Sequence, residues 1–293
     1  AAWLLLPDGT GVVELASTSG IELLGEVRLP WDADTTGFGQ AIAAALDAGV
    51  ERLVLGIGSS ASTDGGSGML RALGARMVDA DGRDVPAGAR GLAAVSAIDF
   101  SHLRTPPEGG VTVLSDVTNP LTGPAGAAAV FGPQKGLTAA DVEVVDGVLE
   151  RYAACIARRV PAADPLLPGA GAAGGTGFAL AAWGADLVPG AQRIADLVDL
   201  AGAVAAASLV VTGEGAFDGQ SAAGKVPAFV QGLAAAHGVP VAVVAGRIAA
   251  DADTAGFAHT ISLTDLAGGA AASMADPVRW LTEAGRRLAA RSA

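Results

Sequence analysis

The sequence predicts an α/β fold, with parallel strands joined by helical crossovers, and three observations carry that expectation. From Ala191 onward helix and strand patterns alternate: helix 191–206, strand 209–212, helix 226–237, strand 239–245, a short strand near Ile261 and helix 277–291. Such alternation argues for a parallel sheet with its ligand at the carboxyl ends of the strands. Three apolar strands, Leu53–Gly58, Leu209–Gly213 and Val241–Gly246, run directly into glycine loops. The chain has 293 residues, long enough for two domains, each with its own core.

The elements before Ala191 are less regular. "WLLLPDGTGVVEL" reads as two strands around a Pro-Asp-Gly turn. Phe38–Ala48 has helical character, and "RLVLGIG" is a short buried strand. The small-residue loop "SSASTDGGSG" then leads into a helix whose first turn lies near Gly65 or Ser67. "MVDADGRDV" reads as a hairpin around Asp81-Gly82, and "VTVLSDV" as a strand ending in Asp116. Asp141–Val160 is a long helix with Thr138 as its N-cap. Residues 161–177, rich in Pro, Gly and Ala, read as a loop. Within it, "PGAGAAGGTG" suits a hinge or closing loop between the halves, or alternatively a tight packing crossover.

Composition excludes several function classes. The formal net charge of −12 disfavours nonspecific binding to nucleic acid or anionic membranes, which need basic surface. A small anionic substrate is still compatible, because a pocket can be locally positive on an acidic protein. Cys155 is the one cysteine, so no intramolecular disulfide forms, and "RYAACIARR" reads as a buried helix position. No apolar run suggests a membrane span, and "AAWLLLPDGT" has no basic region of a signal peptide. A cytoplasmic enzyme is the expectation.

Lysine is rare. Of 18 Lys and Arg residues only Lys135 and Lys225 are lysines, in the Gly/Pro-punctuated segments "FGPQKG" and "AAGKVP". An isolated lysine in a glycine loop suits phosphate binding as a compact point charge, although a coding bias toward arginine would leave the same pattern. The carboxylates Asp64, Asp116, Glu214 and Asp218 closely follow apolar strands. Phosphoryl transfer needs carboxylates for Mg²⁺, a base near the acceptor hydroxyl, and cations or N–H donors around the moving group. Asp64 and Asp116 equally fit an N-cap and a turn aspartate. Glu214 and Asp218 stand four positions apart, and two close acids call for a metal or lysine neighbour. No Walker A loop, no clean dinucleotide fingerprint, no G-x-S-x-G elbow and no His ligand spacing among His102, His237 and His259 is present. The residues alone reach a phosphate-handling α/β enzyme.

Five segments, "GIGSSASTDGGSGM", "SDVTNPLTGPAGAAAVFGPQKG", "PGAGAAGGTG", "VVTGEGAFDGQSAAGKVP" and "VAVVAGR", occur in an order that resembles the bacterial glycerate kinases of type 1. The resemblance covers nearly the whole chain. It implies ATP-dependent, Mg²⁺-assisted phosphorylation of D-glycerate to a phosphoglycerate. It also implies two α/β domains with the active site in the cleft between them: a mixed domain over 1–190 and the C-terminal portion of a Rossmann-like domain over 191–293. The catalytic expectation falls on Lys225, Asp218, Asp116 and Lys135. Gly213, Glu214, Gly215, Ser60, Asp64, Gly65 and Gly66 are expected at the nucleotide, with Glu214 and Asp218 on the metal. Lys135 is the candidate for the glycerate carboxylate. Partners other than ATP and D-glycerate are not expected, save a second copy in a homodimer. The chain departs from the family at Ser59, Ser62 and Thr63, where members carry Gly, Thr or Asn. It also enters the family pattern late, at "WLLLPDGT", so the Rossmann-like part is expected to lack its N-terminal strands. The alternative reading is accordingly a catalytically incomplete fragment or paralogue that binds a carboxylate or nucleotide without turnover. A Rossmann-type oxidoreductase is disfavoured by the missing fingerprint.

Overall fold

The computed structural model describes residues 2–219 and 226–292. The chain divides into two compact units, Ala1–Gly190 and Ala191–Ala293.

The first unit opens with β1 (Leu4–Leu5) and β2 (Thr10–Glu14), an antiparallel pair around the Pro7-Asp8-Gly9 turn. Asp8 closes that turn by accepting from the Thr10 amide at 3.0 Å. After α1 (Ala16–Ser19) and α2 (Thr36–Asp47) comes β3 (Arg52–Gly56). Leu53, Val54 and Leu55 of β3 are all buried, so both strand faces are covered, as an interior parallel strand requires. Then follow α3 (Ser67–Ala72), β4 (Arg76–Val78), α4 (Gly88–Leu92), β5 (Ala97–Asp99) and β6 (Val111–Leu114). The chain continues through α5 (Ala127–Phe131), α6 (Ala139–Ala157), α7 (Ala172–Trp183) and β7 (Asp186–Val188). The sheet order is β1-β2-β3-β6-β7, with every pair parallel except β1–β2. The carboxyl ends of β2, β3, β6 and β7 therefore share one edge of the sheet.

Helix α6 starts with a reciprocal capping box. The Thr138 hydroxyl accepts from the Asp141 amide at 3.2 Å, and Asp141 accepts from the Thr138 amide at 3.0 Å. Its buried residues Val145, Val148, Leu149, Tyr152, Cys155 and Ile156 recur at helical spacing and face the core. Tyr152 meets Phe178 of α7 edge to face, with ring centroids 6.4 Å apart.

In the second unit, α8 (Gly190–Leu197) and α9 (Leu200–Ala205) lead to β8 (Val210–Phe217), α10 (Val226–Ala236), β9 (Val241–Ile248) and β10 (His259–Ser262). Helices α11 (Leu263–Ala267), α12 (Ala270–Ala275) and α13 (Pro277–Ser292) complete it. The sheet is parallel, in the order β10-β9-β8. Val204 of α9 and Ala234 of α10 pack with Val241. Ala242, Ile261 and Leu263 pack with Ala284 and Leu288 of α13. Neighbouring residues of β9 thus serve two separate apolar clusters, with helices on both faces of the sheet.

Three expectations need correction. The helix read over 191–206 is two helices: Asp199 adopts left-handed backbone (φ 49°) and caps α9 by accepting from the Gly202 amide at 3.3 Å. The strand read as ending at Thr212 runs on to Phe217. The 161–177 stretch is not loop throughout, because α7 begins at Ala172. Its first turn is irregular, with left-handed Ala173, Gly174 and Gly175. No helix among the described residues is long and apolar enough to cross a membrane.

Candidate active site

The carboxyl end of β3 leads into the turn that carries Ser60. Ser59 lies there at φ 56°, a left-handed position that a serine seldom adopts. Ser60 bridges Gly20: the Ile21 amide donates to the Ser59 carbonyl at 2.8 Å, and the Ala61 amide to the Ser19 carbonyl at 3.1 Å. Lys135 comes up beneath this turn from the short 3₁₀ segment Pro133–Lys135. Its Nζ donates to Ser60 Oγ at 2.7 Å and to the Ser62 carbonyl at 2.6 Å. Lys135 is 2% exposed. Burial pulls its ammonium from an ordinary 10.5 down to about 8, with the negative charge of Asp64 opposing.

Asp64, Gly65 and Gly66, expected at a cofactor, make close contacts within the first unit. The Asp64 carboxylate is fully buried. One oxygen accepts from the Thr35 amide at 3.0 Å, the Thr35 hydroxyl at 2.8 Å and the Gly68 amide at 3.0 Å; the other accepts from the Gly66 amide at 3.2 Å. It thereby pins the start of α2 to the start of α3, the turn-and-cap role. The Gly65 amide donates to the Gly174 carbonyl at 3.0 Å, so the amides of both glycines are committed within the fold. A Cβ on Gly65 would sit 2.7 Å from the Tyr152 ring, and one on Gly66 2.7 Å from Ala179 Cβ. These glycines serve close packing rather than an open cradle.

The segment "PGAGAAGGTG" is likewise internal to the first unit. Ala170, Ala172 and Thr176 are buried. A Cβ on Gly174 would fall 2.1 Å from the Ser62 carbonyl oxygen, and one on Gly175 2.9 Å from Gly65 Cα. The hinge expectation gives way to the packing crossover.

Asp116 differs from Asp64. It is exposed just past β6, and its Oδ1 accepts from the Gly190 amide at 2.8 Å, beyond the end of β7. It thus stands at the carboxyl edge of the sheet.

In the second unit Gly213, Glu214 and Gly215 lie inside β8, not in a loop, with Glu214 opposite Ala245 of β9. A Cβ on Gly213 would meet the Val244 carbonyl oxygen at 2.7 Å, and one on Gly246 the Gly215 carbonyl oxygen at 2.5 Å. The two strands approach too closely there for side chains. Asp218 follows the end of β8, half-buried. Arg247, exposed on β9 opposite Ala216, is a further cation at this edge, not among the sequence-predicted site residues. Its signal in the sequence is an arginine that ends an apolar strand after a glycine. Lys225 lies outside the described residues. Among the described residues no three His, Cys, Asp or Glu side chains group as a metal site. Glu214 and Asp218 offer hard oxygen donors of the kind Mg²⁺ takes one or two at a time.

Polar and charged side chains at the carboxyl edges of parallel sheets, in two compact units, define an α/β protein of the ligand-binding type. The family model for the glycerate kinase family matches residues 1–293, and the chain belongs to that family. It is 42% identical over 253 residues to a glycerate kinase of Bacillus subtilis (strain 168), an overlap of 85% of this chain and 66% of the relative. It is 40% identical over 255 residues to the glycerate 2-kinase of Escherichia coli (strain K12), covering 86% and 67% respectively. A crystal structure assigned to a glycerate kinase 2 from Salmonella typhimurium LT2 superposes with a TM-score of 0.76 at 39% identity, over 97% of this chain and 79% of that one. The chain thus spans about two thirds of the length of the curated relatives it matches.

Proposed function

We propose that this protein acts as a glycerate kinase, transferring the γ-phosphoryl group of ATP to a hydroxyl of D-glycerate with release of ADP. The observation that carries the reading is the family match along the whole chain. The likeness to the glycerate 2-kinase of Escherichia coli favours the 2-hydroxyl and hence 2-phosphoglycerate.

In this reading the acceptor oxygen attacks the γ-phosphorus, the bond to the β-phosphate oxygen breaks, and the acceptor's proton passes to a carboxylate. Asp116 is the favoured acceptor of that proton, because its carboxylate is exposed whereas that of Asp64 is sealed. Lys225 holds phosphate oxygens. Glu214 and Asp218 would hold Mg²⁺, which neutralises charge on the transferring group when bound. The working partners are ATP and D-glycerate in the cytoplasm, with a homodimer as the assembly to examine by light scattering.

The test is ³¹P NMR of a mixture of the protein, ATP, Mg²⁺ and D-glycerate. Appearance of 2-phosphoglycerate supports the reading, and 3-phosphoglycerate corrects the position of transfer. Binding of ATP and D-glycerate with no phosphoglycerate formed would overturn the reading.

A further inference from the structure

We propose that the turn Gly58–Ser60, at the carboxyl end of β3, binds the carboxylate of a small hydroxy acid, with Lys135 as the positioning residue that shapes it. The proposal rests on the kinase reading only for which acid is bound.

The backbone supplies the first argument. Ser59 holds φ 56° although it is exposed and is not glycine. A left-handed non-glycine residue costs conformational energy and persists only where its surroundings impose it. Here they do. Ser60 is tied to Gly20 through the strand-like bridge, and the Ser59 carbonyl is taken by the Ile21 amide. From below, Lys135 takes the Ser60 hydroxyl and the Ser62 carbonyl. These acceptors of the turn are therefore directed inward or toward Ile21. The amides of Gly58 and Ser59 have no acceptor among the described residues. Nothing lies within 4 Å of where a Cβ of Gly58 would be, so the turn opens onto free space. Successive amides around a left-handed residue make a concavity that suits an anion.

Charge supplies the second. The Lys135 ammonium is almost wholly buried, and among the described residues no carboxylate lies within 4.0 Å of it. Asp64 acts on it only at longer range. A buried cation without a contacting anion raises the local potential and favours an anion nearby. The two amides match the two oxygens of a carboxylate. A phosphate, with more oxygens and more charge, would leave acceptors unmet at this turn.

Calorimetric titration without nucleotide tests the site, using D-glycerate and glycolate as probes and inorganic phosphate as a separate arm. The wild-type protein should bind both hydroxy acids more tightly than phosphate. Lys135→Met and Ser60→Ala, each checked for native circular dichroism, should weaken both acids by about tenfold or more, the scale of one charge-assisted hydrogen bond. In the double variant Lys135→Met/Ser59→Gly part of the lost affinity should return, a rescue that mere structural damage would not give. Unchanged affinity in folded Lys135→Met and Ser60→Ala overturns the proposal. So does a wild-type protein that binds neither acid, or a turn that takes phosphate in preference. A protein that binds the acids through this turn but never phosphorylates them would sink the kinase reading and leave this site standing.

Discussion

The ammonium of Lys135 meets the hydroxyl of Ser60 at 2.7 Å, joining two glycine-punctuated segments 75 residues apart in sequence. The isolated lysine of the sequence is thus not a surface charge but a buried strut.

Its burial makes pH informative. Below about pH 8 the folded protein carries a buried ammonium, whereas the unfolded lysine keeps its proton up to about 10.5. Between those values the unfolded state binds more protons, so this residue's contribution to stability rises with pH. The full gap corresponds to roughly 3 kcal/mol, an order-of-magnitude figure. Urea unfolding at pH 7.5 and pH 10, compared between wild type and Lys135→Met, isolates the effect. The wild type should gain stability relative to the variant at the higher pH. Affinity for a carboxylate should move the opposite way, weakening as the ammonium loses its proton. Parallel pH slopes in wild type and variant would mean that Lys135 does not titrate in this range.

Asp64→Ala tests the keystone role of that carboxylate. It strips acceptors from the buried amides of Gly66 and Gly68 and from Thr35. Unsatisfied buried donors cost roughly 1–3 kcal/mol apiece, so a loss of about 3 kcal/mol or more is expected in urea unfolding. A variant as stable as the wild type but catalytically dead would restore the cofactor role that the sequence suggested.

Gly174→Ala tests the crossover. The residue stands at φ 67°, and an added Cβ would lie 2.1 Å from the Ser62 carbonyl oxygen. Backbone strain and collision act together, so a loss of several kcal/mol, on the order of the severe core mutations, is expected. A stable variant that is slow only in turnover would revive the hinge.

Where backbone spacing alone decides an element, the sequence was readable. The Thr138 cap, the Pro7-Asp8-Gly9 turn and the buried strand around Val54 all follow from local chemistry. Elements set by tertiary contacts were not. β8 continues through "TGEG" because glycines allow close approach to β9, and a glycine run looks the same in sequence whether it is a loop or a tight strand crossing. Asp64 illustrates the same limit at the site. An aspartate after a strand and before a helix suits a ligand or a cap equally, and only the donors from Thr35, distant in sequence, separate the two. Arg247 escaped because rarity singled out the two lysines, whereas arginine is common in this chain.

The last prediction separates proton acceptance from phosphate binding. Asp116→Asn retains an oxygen able to accept from the Gly190 amide, so the local fold should stand. What it loses is the basic carboxylate. If Asp116 takes the proton of the acceptor hydroxyl, kcat should fall by roughly two to four orders of magnitude with KM for both substrates little changed. Lys225→Met should also cut turnover by roughly two to four orders, the scale for one preorganised charge on a transferring phosphoryl group. The two losses should differ in their dependence on pH. A proton acceptor imposes a rise of kcat with pH on the wild type, and Asp116→Asn should flatten it while Lys225→Met leaves it in place. An Asp116→Asn enzyme with near-native kcat and the wild-type pH profile would remove this carboxylate from the chemistry and reduce it to the contact it makes with Gly190.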